Sequence, residues 1–372
     1  ITEITHMSTN IDSLNPILQH TFNINHPITI DFLVPCGGKG GVEIVLNDTA
    51  MYLKSLGIHI RIVQLVYNDS AWPDSSLEYY TIQTNRAIAD ISDYIPLCEQ
   101  YLNELKAPDI IIATPLPMLT MIIKLALLNC HMDAHIISWL HGPLHIYDEN
   151  AVGGLDCLKY ADLVMVLNQG SYSYIKNNSD VRVALVKNPI DLGSLQYHDI
   201  YNPECRTLVY IGRLSSEKNV SLIIDSISHT KEQWKLIIIG DGDERPQLEE
   251  LCSSLNLNDN VTFTGWLNNP WNSVIEASSL VLASSYEGFC LACYEALATG
   301  IPVISTPVNG VTDIIEDGYN GYIYSDENEL VNILDNVILQ SDIQSSDCRS
   351  SVSNYNKPLV LRELSQYILS VL

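Results

Sequence analysis

Glu287 and Glu295 stand eight residues apart around a Gly288-Phe289 turn, in the run Ser284-Ser285-Tyr286-Glu287-Gly288-Phe289-Cys290-Leu291-Ala292-Cys293-Tyr294-Glu295-Ala296. The segment Leu291–Thr299 reads as a helix, closed by Gly300 before the strand-like run Pro302-Val303-Ile304-Ser305. A carboxylate on the loop and a second on the helix's opening turn can face one ligand. The first amides of that helix have no intrahelical partners and sit at the positive end of its dipole, so they form an anion site. Carboxylates for hydroxyls beside amides for phosphate describe a receiver for a sugar nucleotide.

Other groups point the same way. Arg213 and Lys218 flank a strand end in Ile211-Gly212-Arg213-Leu214-Ser215-Ser216-Glu217-Lys218-Asn219. Two cations at the mouth of an α/β crevice neutralise a diphosphate; surface salt-bridging is the alternative. Cys36-Gly37-Gly38-Lys39-Gly40-Gly41-Val42-Glu43 links an apolar run to a helix over Ile44–Leu56, and its glycines admit a close backbone approach to a ligand. A purely structural turn is the alternative there. No Lys-Ser/Thr pair follows to hold a nucleoside triphosphate and magnesium, which disfavours ATP hydrolysis. Trp139-Leu140-His141-Gly142-Pro143-Leu144-His145 closes another apolar run, and His141 is the stronger site candidate of its two histidines. Thr264-Gly265-Trp266 can stack on a base or offer it backbone groups, although Trp266 and Trp271 also suit packing. Asp241-Gly242-Asp243 reads as helix N-capping rather than a cation loop. Cys290-x-x-Cys293 has no second ligand pair at zinc spacing and lies inside the carboxylate motif, so a redox or zinc role is disfavoured.

The elements that must position these groups alternate short apolar runs with amphipathic stretches. The runs are Ile28–Val34, Ile58–Val63, Asp109–Ala113, Ala134–Trp139 and Asp162–Leu167, then Thr207–Ile211, Lys235–Ile239, Val261–Phe263, Leu280–Ala283 and Pro302–Ser305. Continuous apolar runs suit parallel strands buried on both faces, so two Rossmann-like, doubly wound α/β domains follow. The first is expected over 7–195, leaving out the residues before Met7, and the second over 196–354. A C-terminal helix over 355–372 should pack back on the first domain. Ser341–Ser353, rich in Ser and Asp, reads as an exposed link.

Composition narrows the partners. At 372 residues with 47% hydrophobic and 17% charged content, the chain can bury two cores. Its net charge of −25, from 19 basic against 44 acidic residues, disfavours nucleic acid and shows no basic membrane-docking patch. Nine cysteines without disulfide spacing suggest reduced thiols and a cytoplasmic location. No apolar run reaches the roughly 18–20 residues of a membrane span, and no signal peptide opens the chain.

Taken in order, these pieces resemble a retaining glycosyltransferase of family 4, of the GT-B type with two Rossmann-like domains facing each other across a cleft. The resemblance rests on Gly40-Gly41-x-Glu43, Asn188-Pro189-Ile190-Asp191, Gly212-Arg213-x5-Asn219, Ile239-Gly240-Asp241-Gly242, Glu287-x7-Glu295 and Asp317-Gly318-x-Asn320-Gly321. Ser138-Trp139-x-His141 and Gly265-Trp266-x3-Pro270-Trp271 are similar to the bacterial lipopolysaccharide galactosyltransferases that build α-1,6 bonds. The extra Gly37-Gly38-Lys39 departs from the family's usual loop. The resemblance implies an acceptor-binding first domain and a second domain that binds the nucleotide sugar. It assigns Arg213 and Lys218 to the diphosphate, Glu287 to the donor hexose and Glu295 to the ribose. The backbone of Gly288, Phe289, Cys290 and Leu291 meets phosphate and hexose, Gly40, Gly41, Gly265 and Trp266 complete the donor site, and His141 lies by the reacting centre.

The implied activity moves galactose, glucose or N-acetylglucosamine from a UDP-sugar to a glycan, glycolipid or glycoprotein. It does so without metal or other cofactor, by same-face attack in which the leaving phosphate takes the acceptor's proton. Contact with the inner face of the cell membrane stays open, and nothing in the sequence points to one oligomeric state. The rival readings are a non-catalytic GT-B glycan-recognition or partner subunit, which would lack the site residues, and another two-Rossmann enzyme such as an epimerase or a phosphorylase.

Overall fold

The computed structural model describes residues 27–38, 40–67, 72–83, 90–150, 152–195 and 200–372. Met7 and Lys39 lie outside them. Two compact units emerge: one holds the described residues up to Lys187 together with Leu361–Leu372, the other Asn188–Val360.

In the first unit the elements run β1 (Thr29–Val34), α1 (Gly41–Ser55), β2 (His59–Val66), β3 (Glu78–Gln83), α2 (Tyr94–Leu105), β4 (Ile110–Ala113), α3 (Pro117–Asn129), β5 (His135–Trp139), α4 (Leu144–Glu149), α5 (Leu155–Leu158), β6 (Leu163–Val166), α6 (Gln169–Asn178) and β7 (Val183–Leu185). The seven strands form one sheet in the order β3-β2-β1-β4-β5-β6-β7, and every pairing is parallel. β4 and β6 are buried along their whole length, as apolar parallel strands covered on both faces must be. The chain winds outward in both directions from β1 and β4, so the loops after these two strands diverge at a switch point.

A buried polar cluster sits at the first strand. Arg61 on β2 donates from Nε to Asp31 Oδ1 and from Nη2 to Asp31 Oδ2, both at 2.6 Å, and the Tyr101 hydroxyl donates to Oδ2 as well. The same guanidinium reaches the carbonyls of Leu105 at 2.7 Å and Lys106 at 3.1 Å, which close the C-terminal end of α2.

The second unit runs α7 (Leu192–Leu195), β8 (Thr207–Ile211), α8 (Val220–Ser228), β9 (Lys235–Ile239), α9 (Arg245–Ser254), β10 (Val261–Gly265), β11 (Ser279–Val281), α10 (Leu291–Thr299), β12 (Val303–Ser305), β13 (Gly321–Ile323), α11 (Glu327–Asn332), α12 (Ser345–Ser351) and the start of α13 (Lys357–Leu369), whose residues from Leu361 on belong to the first unit. Its sheet is parallel throughout, in the order β10-β9-β8-β11-β12-β13, with the switch point between β8 and β11. Trp234, Tyr210, Tyr294 and Tyr324 fill its core, and the tyrosine hydroxyls donate to the carbonyls of Arg213, Gly310 and Leu282 respectively.

The division falls at 187/188 and 360/361 rather than at the expected 195/196 and 354/355. Ile190 N–H donates to Tyr355 C=O and Lys357 N–H to Ile190 C=O, both at 2.9 Å, which ties Asn188–Asp191 to the second unit by a parallel bridge with Asn356. Beyond Leu361 the chain belongs to the first unit, where Arg182 donates to the Ser370 carbonyl at 3.1 Å and hydroxyl at 2.8 Å. The expected exposed link at Ser341–Ser353 is instead α12 and its flanks, with Ile343, Cys348 and Val352 buried. Its serines tie it to neighbouring loops: Ser345 Oγ donates to Gly300 C=O and Asn320 Nδ2 donates to Ser351 Oγ. No described helix is long and apolar enough to cross a membrane.

Candidate active site

The second unit's switch point is built by two loops that meet. After β8 the chain passes Gly212 to Lys218, and after β11 it passes Leu282 to Cys290; Ser285 N–H donates to the Glu217 carbonyl at 2.8 Å and joins them. The floor is glycine by necessity. Gly240 has φ +146°, and a Cβ there would lie 1.8 Å from the Gly212 carbonyl oxygen, while one at Gly242 would lie 2.2 Å from the Leu214 oxygen. Only bare backbone allows the β9 loop to lie this close to the β8 loop.

Lys218 Nζ and Glu287 Oε1 are 2.7 Å apart, and the Ser284 hydroxyl donates to the same oxygen at 2.8 Å. Burial pulls the Lys218 ammonium down, but the Glu287 carboxylate outweighs it, so the group is held above its ordinary value and stays charged. The two cations expected to converge on one anion are therefore unequal. Lys218 is committed to a carboxylate, whereas the exposed Arg213 guanidinium bonds to no side chain among the described residues. Lys218 keeps two of its three donors for a ligand.

α10 starts at Leu291 because Cys290 adopts the left-handed conformation, φ +59°, and no side chain caps it. The amides of Leu291 and Ala292 meet no acceptor among the described residues, and this nine-residue helix offers them beside Gly288 and Phe289. Phe289 stacks on Tyr294 with ring centroids 4.0 Å apart, which fixes the turn. Glu295 is the fifth helical residue, so it lies on the second turn and not the opening one. The buried Trp271 donates its indole N–H to Glu295 Oε2 at 3.0 Å, a contact with no sequence signal because 24 residues separate the two. Trp266 is 52% exposed, presented by a register shift at the end of β10 where Gly265 takes φ +76°.

Burial raises the Glu295 carboxyl above its ordinary value, and the Trp271 hydrogen bond opposes it. A raised folded value favours the neutral form. Its stabilisation is complete below the unfolded value of 4.5 and is lost as pH rises through the higher folded value. Glu295→Gln keeps a carbonyl for Trp271 without the charge, so it should raise the melting temperature at neutral pH. The gain over wild type should shrink to nothing on acidification. A melting curve at each pH checks the sign.

Other sequence expectations resolve differently. Asp241 does not cap α9: its carboxylate accepts from Gly242 N–H at 2.9 Å and from Arg245 Nη1 at 3.4 Å, while Glu244 holds the cap position without a side-chain bond. Asp317 and Asn320 are braces, taking Ile323 N–H at 2.7 Å and Glu316 N–H at 2.8 Å. Burial pushes the Cys290 and Cys293 thiols well up, which opposes thiolate chemistry, and all nine cysteines are free.

In the first unit, Gly40 precedes α1 and Gly41 opens it, at the carboxyl end of β1. A Cβ at Gly38 would lie 2.6 Å from Glu43 Oε1 and one at Gly37 2.5 Å from Trp72, so this loop is tightly walled. His141 follows β5 with its ring centroid 5.0 Å from that of Trp139, and its Nε2 is shielded from solvent with no partner among the described residues. Burial pushes its imidazole down to about 3, so the ring is neutral. Tyr147 and Ser171 hold the turn: Gly142 N–H donates to the Tyr147 hydroxyl at 2.7 Å and Leu144 N–H to Ser171 Oγ at 3.2 Å. His145 is exposed on α4.

Residues 201–353 match the family described as glycosyl transferases group 1. The chain is 27% identical over 301 residues to the lipopolysaccharide 1,6-galactosyltransferase of Escherichia coli (strain K12), covering 77% of this chain and 82% of that protein. Among solved structures, the apo lipopolysaccharide outer core galactosyltransferase WaaB superposes with TM-score 0.76 at 24% identity, over 93% of this chain and 100% of that one. Anabaena HepE in complex with UDP and glucose superposes with TM-score 0.76 at 19% identity, over 92% of this chain and 100% of that one. These likenesses give the two sheets the GT-B fold.

Proposed function

We propose that this chain, a glycosyltransferase of the GT-B fold with a group 1 domain in its second unit, moves a hexose from a UDP-sugar to a glycan, glycolipid or glycoprotein acceptor, with retention at the sugar carbon and without a metal ion. The observation that carries this reading is the switch point of the second unit, where the Arg213 guanidinium and the α10 amides accompany two carboxylates, each with one oxygen already held. The UDP and glucose in the HepE structure support a UDP-hexose donor.

In this reading Glu295 accepts from the ribose hydroxyls through the oxygen that Trp271 leaves open. Arg213, the two spare donors of Lys218 and the amides of Leu291 and Ala292 take the diphosphate. They are in place before the glycosidic bond lengthens, so the negative charge that develops on the leaving group is met without reorganisation. Glu287 faces the hexose. The neutral His141 imidazole suits a hydrogen bond to a sugar hydroxyl and could not serve as a cation. The acceptor's proton passes to the departing phosphate oxygen on the same face.

Hydrolysis of a panel of nucleotide sugars tests the donor class: slow turnover of a UDP-hexose is expected, and turnover of none would overturn the reading. Calorimetry of UDP with and without a chelator tests the metal, with equal affinities expected and loss of binding on chelation the contrary result. Arg213→Ala and Glu295→Ala should each weaken UDP by about 10- to 150-fold, the equivalent of losing a hydrogen bond to a charged group worth about 1.5–3 kcal/mol. Unchanged affinity in a folded variant would remove that residue from the donor site.

A further inference from the structure

Glu287 is reached by two donors of different character. Lys218 carries its ammonium on a long flexible stem and comes from the β8 loop. Ser284 is short, only 1% exposed, and lies three residues after the end of β11. Both meet Oε1, at 2.7 and 2.8 Å, and Oε2 accepts nothing among the described residues. Ser284 is itself braced from the next strand: the Thr306 hydroxyl, one residue beyond β12, donates to the Ser284 carbonyl at 2.7 Å.

A flexible ammonium follows a carboxylate; it does not fix one. A diphosphate that takes the two spare donors of Lys218 draws on the same ammonium that pairs with Glu287, so that ion pair alone is a poor anchor for the carboxylate. Ser284 has no such competitor, because its hydroxyl is buried and its backbone is tied to Thr306. We propose that Ser284 is a positioning residue of the transfer reaction, holding Glu287 by Oε1 so that Oε2 is the oxygen presented to the hexose, with Thr306 setting Ser284 from β12. This rests on the reading that Glu287 meets the donor sugar.

The test is a double-mutant cycle on UDP-hexose turnover, with UDP affinity and melting temperature measured on each variant. Ser284→Ala should lower kcat about tenfold and leave UDP affinity within about twofold, since UDP carries no hexose. Ser284→Thr, which keeps the hydroxyl, should recover most of the loss. In a Glu287→Gln background the same Ser284→Ala change should cost less than about twofold more, because the group it positions is already disabled. Thr306→Val should give a partial loss of kcat without touching the serine hydroxyl.

Wild-type kcat in Ser284→Ala would overturn the proposal, as would an equal tenfold loss in both backgrounds, the mark of a merely structural residue. If Ser284→Ala does not fold, wild-type kcat in Thr306→Val overturns it instead. Failure of the underlying reading looks different: Glu287→Gln would itself turn over donor at the wild-type rate.

Discussion

Glu287→Gln lowers the turnover of a UDP-hexose about a hundredfold, roughly 2.7 kcal/mol of transition-state stabilisation, and leaves UDP bound no more weakly than in the wild type. The two halves of this expected result come from one geometry. A carboxylate with Oε1 anchored and Oε2 open contributes most when positive charge builds on the sugar ring, and an amide cannot supply the same field. UDP lacks the hexose, and removing the carboxylate's charge releases Lys218 toward the diphosphate rather than away from it. The alternative, that Glu287 caps the helix after it, does not fit: Cys290 holds the cap position of α10 without any side-chain bond, and the carboxylate is spent on Lys218 and Ser284. Steady-state turnover and calorimetry on the same variant decide it, and wild-type turnover would exclude Glu287 from the chemistry.

Asp31→Asn should destabilise the first unit by about 3–5 kcal/mol, the usual consequence of removing one partner from a buried ion pair and leaving the other charge stranded. Arg61 cannot shed its proton, and its side chain lies between β1 and the end of α2 with two carboxylate oxygens and two carbonyls as its acceptors. The Tyr101 hydroxyl would also lose its ionised acceptor. Thermal or denaturant unfolding followed on the first unit's transition gives the number. The double replacement Asp31→Leu with Arg61→Met should recover much of the loss, since buried ion pairs often gain little over well-packed apolar substitutes. A loss below about 1 kcal/mol in the single variant would mean that the pair is hydrated or dispensable.

Much of the strand framework was legible because buried parallel strands leave continuous apolar runs, and Thr207–Ile211 and Lys235–Ile239 are read to the residue. β3, β7 and β13 were not. All three are edge strands: β3 carries Glu, Thr and Gln on a half-exposed edge, and β7 and β13 bury one residue each, whereas the equally short β11 and β12 are buried throughout and leave apolar runs. The bounds of α10 follow from the sequence, but the turn that Glu295 occupies does not, because it depends on counting from the left-handed Cys290. What the sequence could not carry is pairing at a distance. Lys218 and Glu287 are 69 residues apart, and their types alone assign one to a phosphate and the other to a sugar. Only the joining of the β8 and β11 loops makes them partners. Asp241 escapes its sequence signal for a related reason: its side chain turns back on Gly242 and Arg245 instead of reaching a helix amide.

The bond between Trp271 and Glu295 also makes the protein its own optical indicator. An excited indole has a larger dipole than the ground state, so its emission responds to a nearby charge and to whatever changes that charge's solvation. Trp271 is 3% exposed and holds Glu295 Oε2 at 3.0 Å, so a change in the charge of that carboxylate acts on the indole at hydrogen-bond distance. Occupation of the other oxygen by a ribose, or protonation of the group in acid, is thereby written into the emission of one of the five tryptophans, readable without a label and without an acceptor.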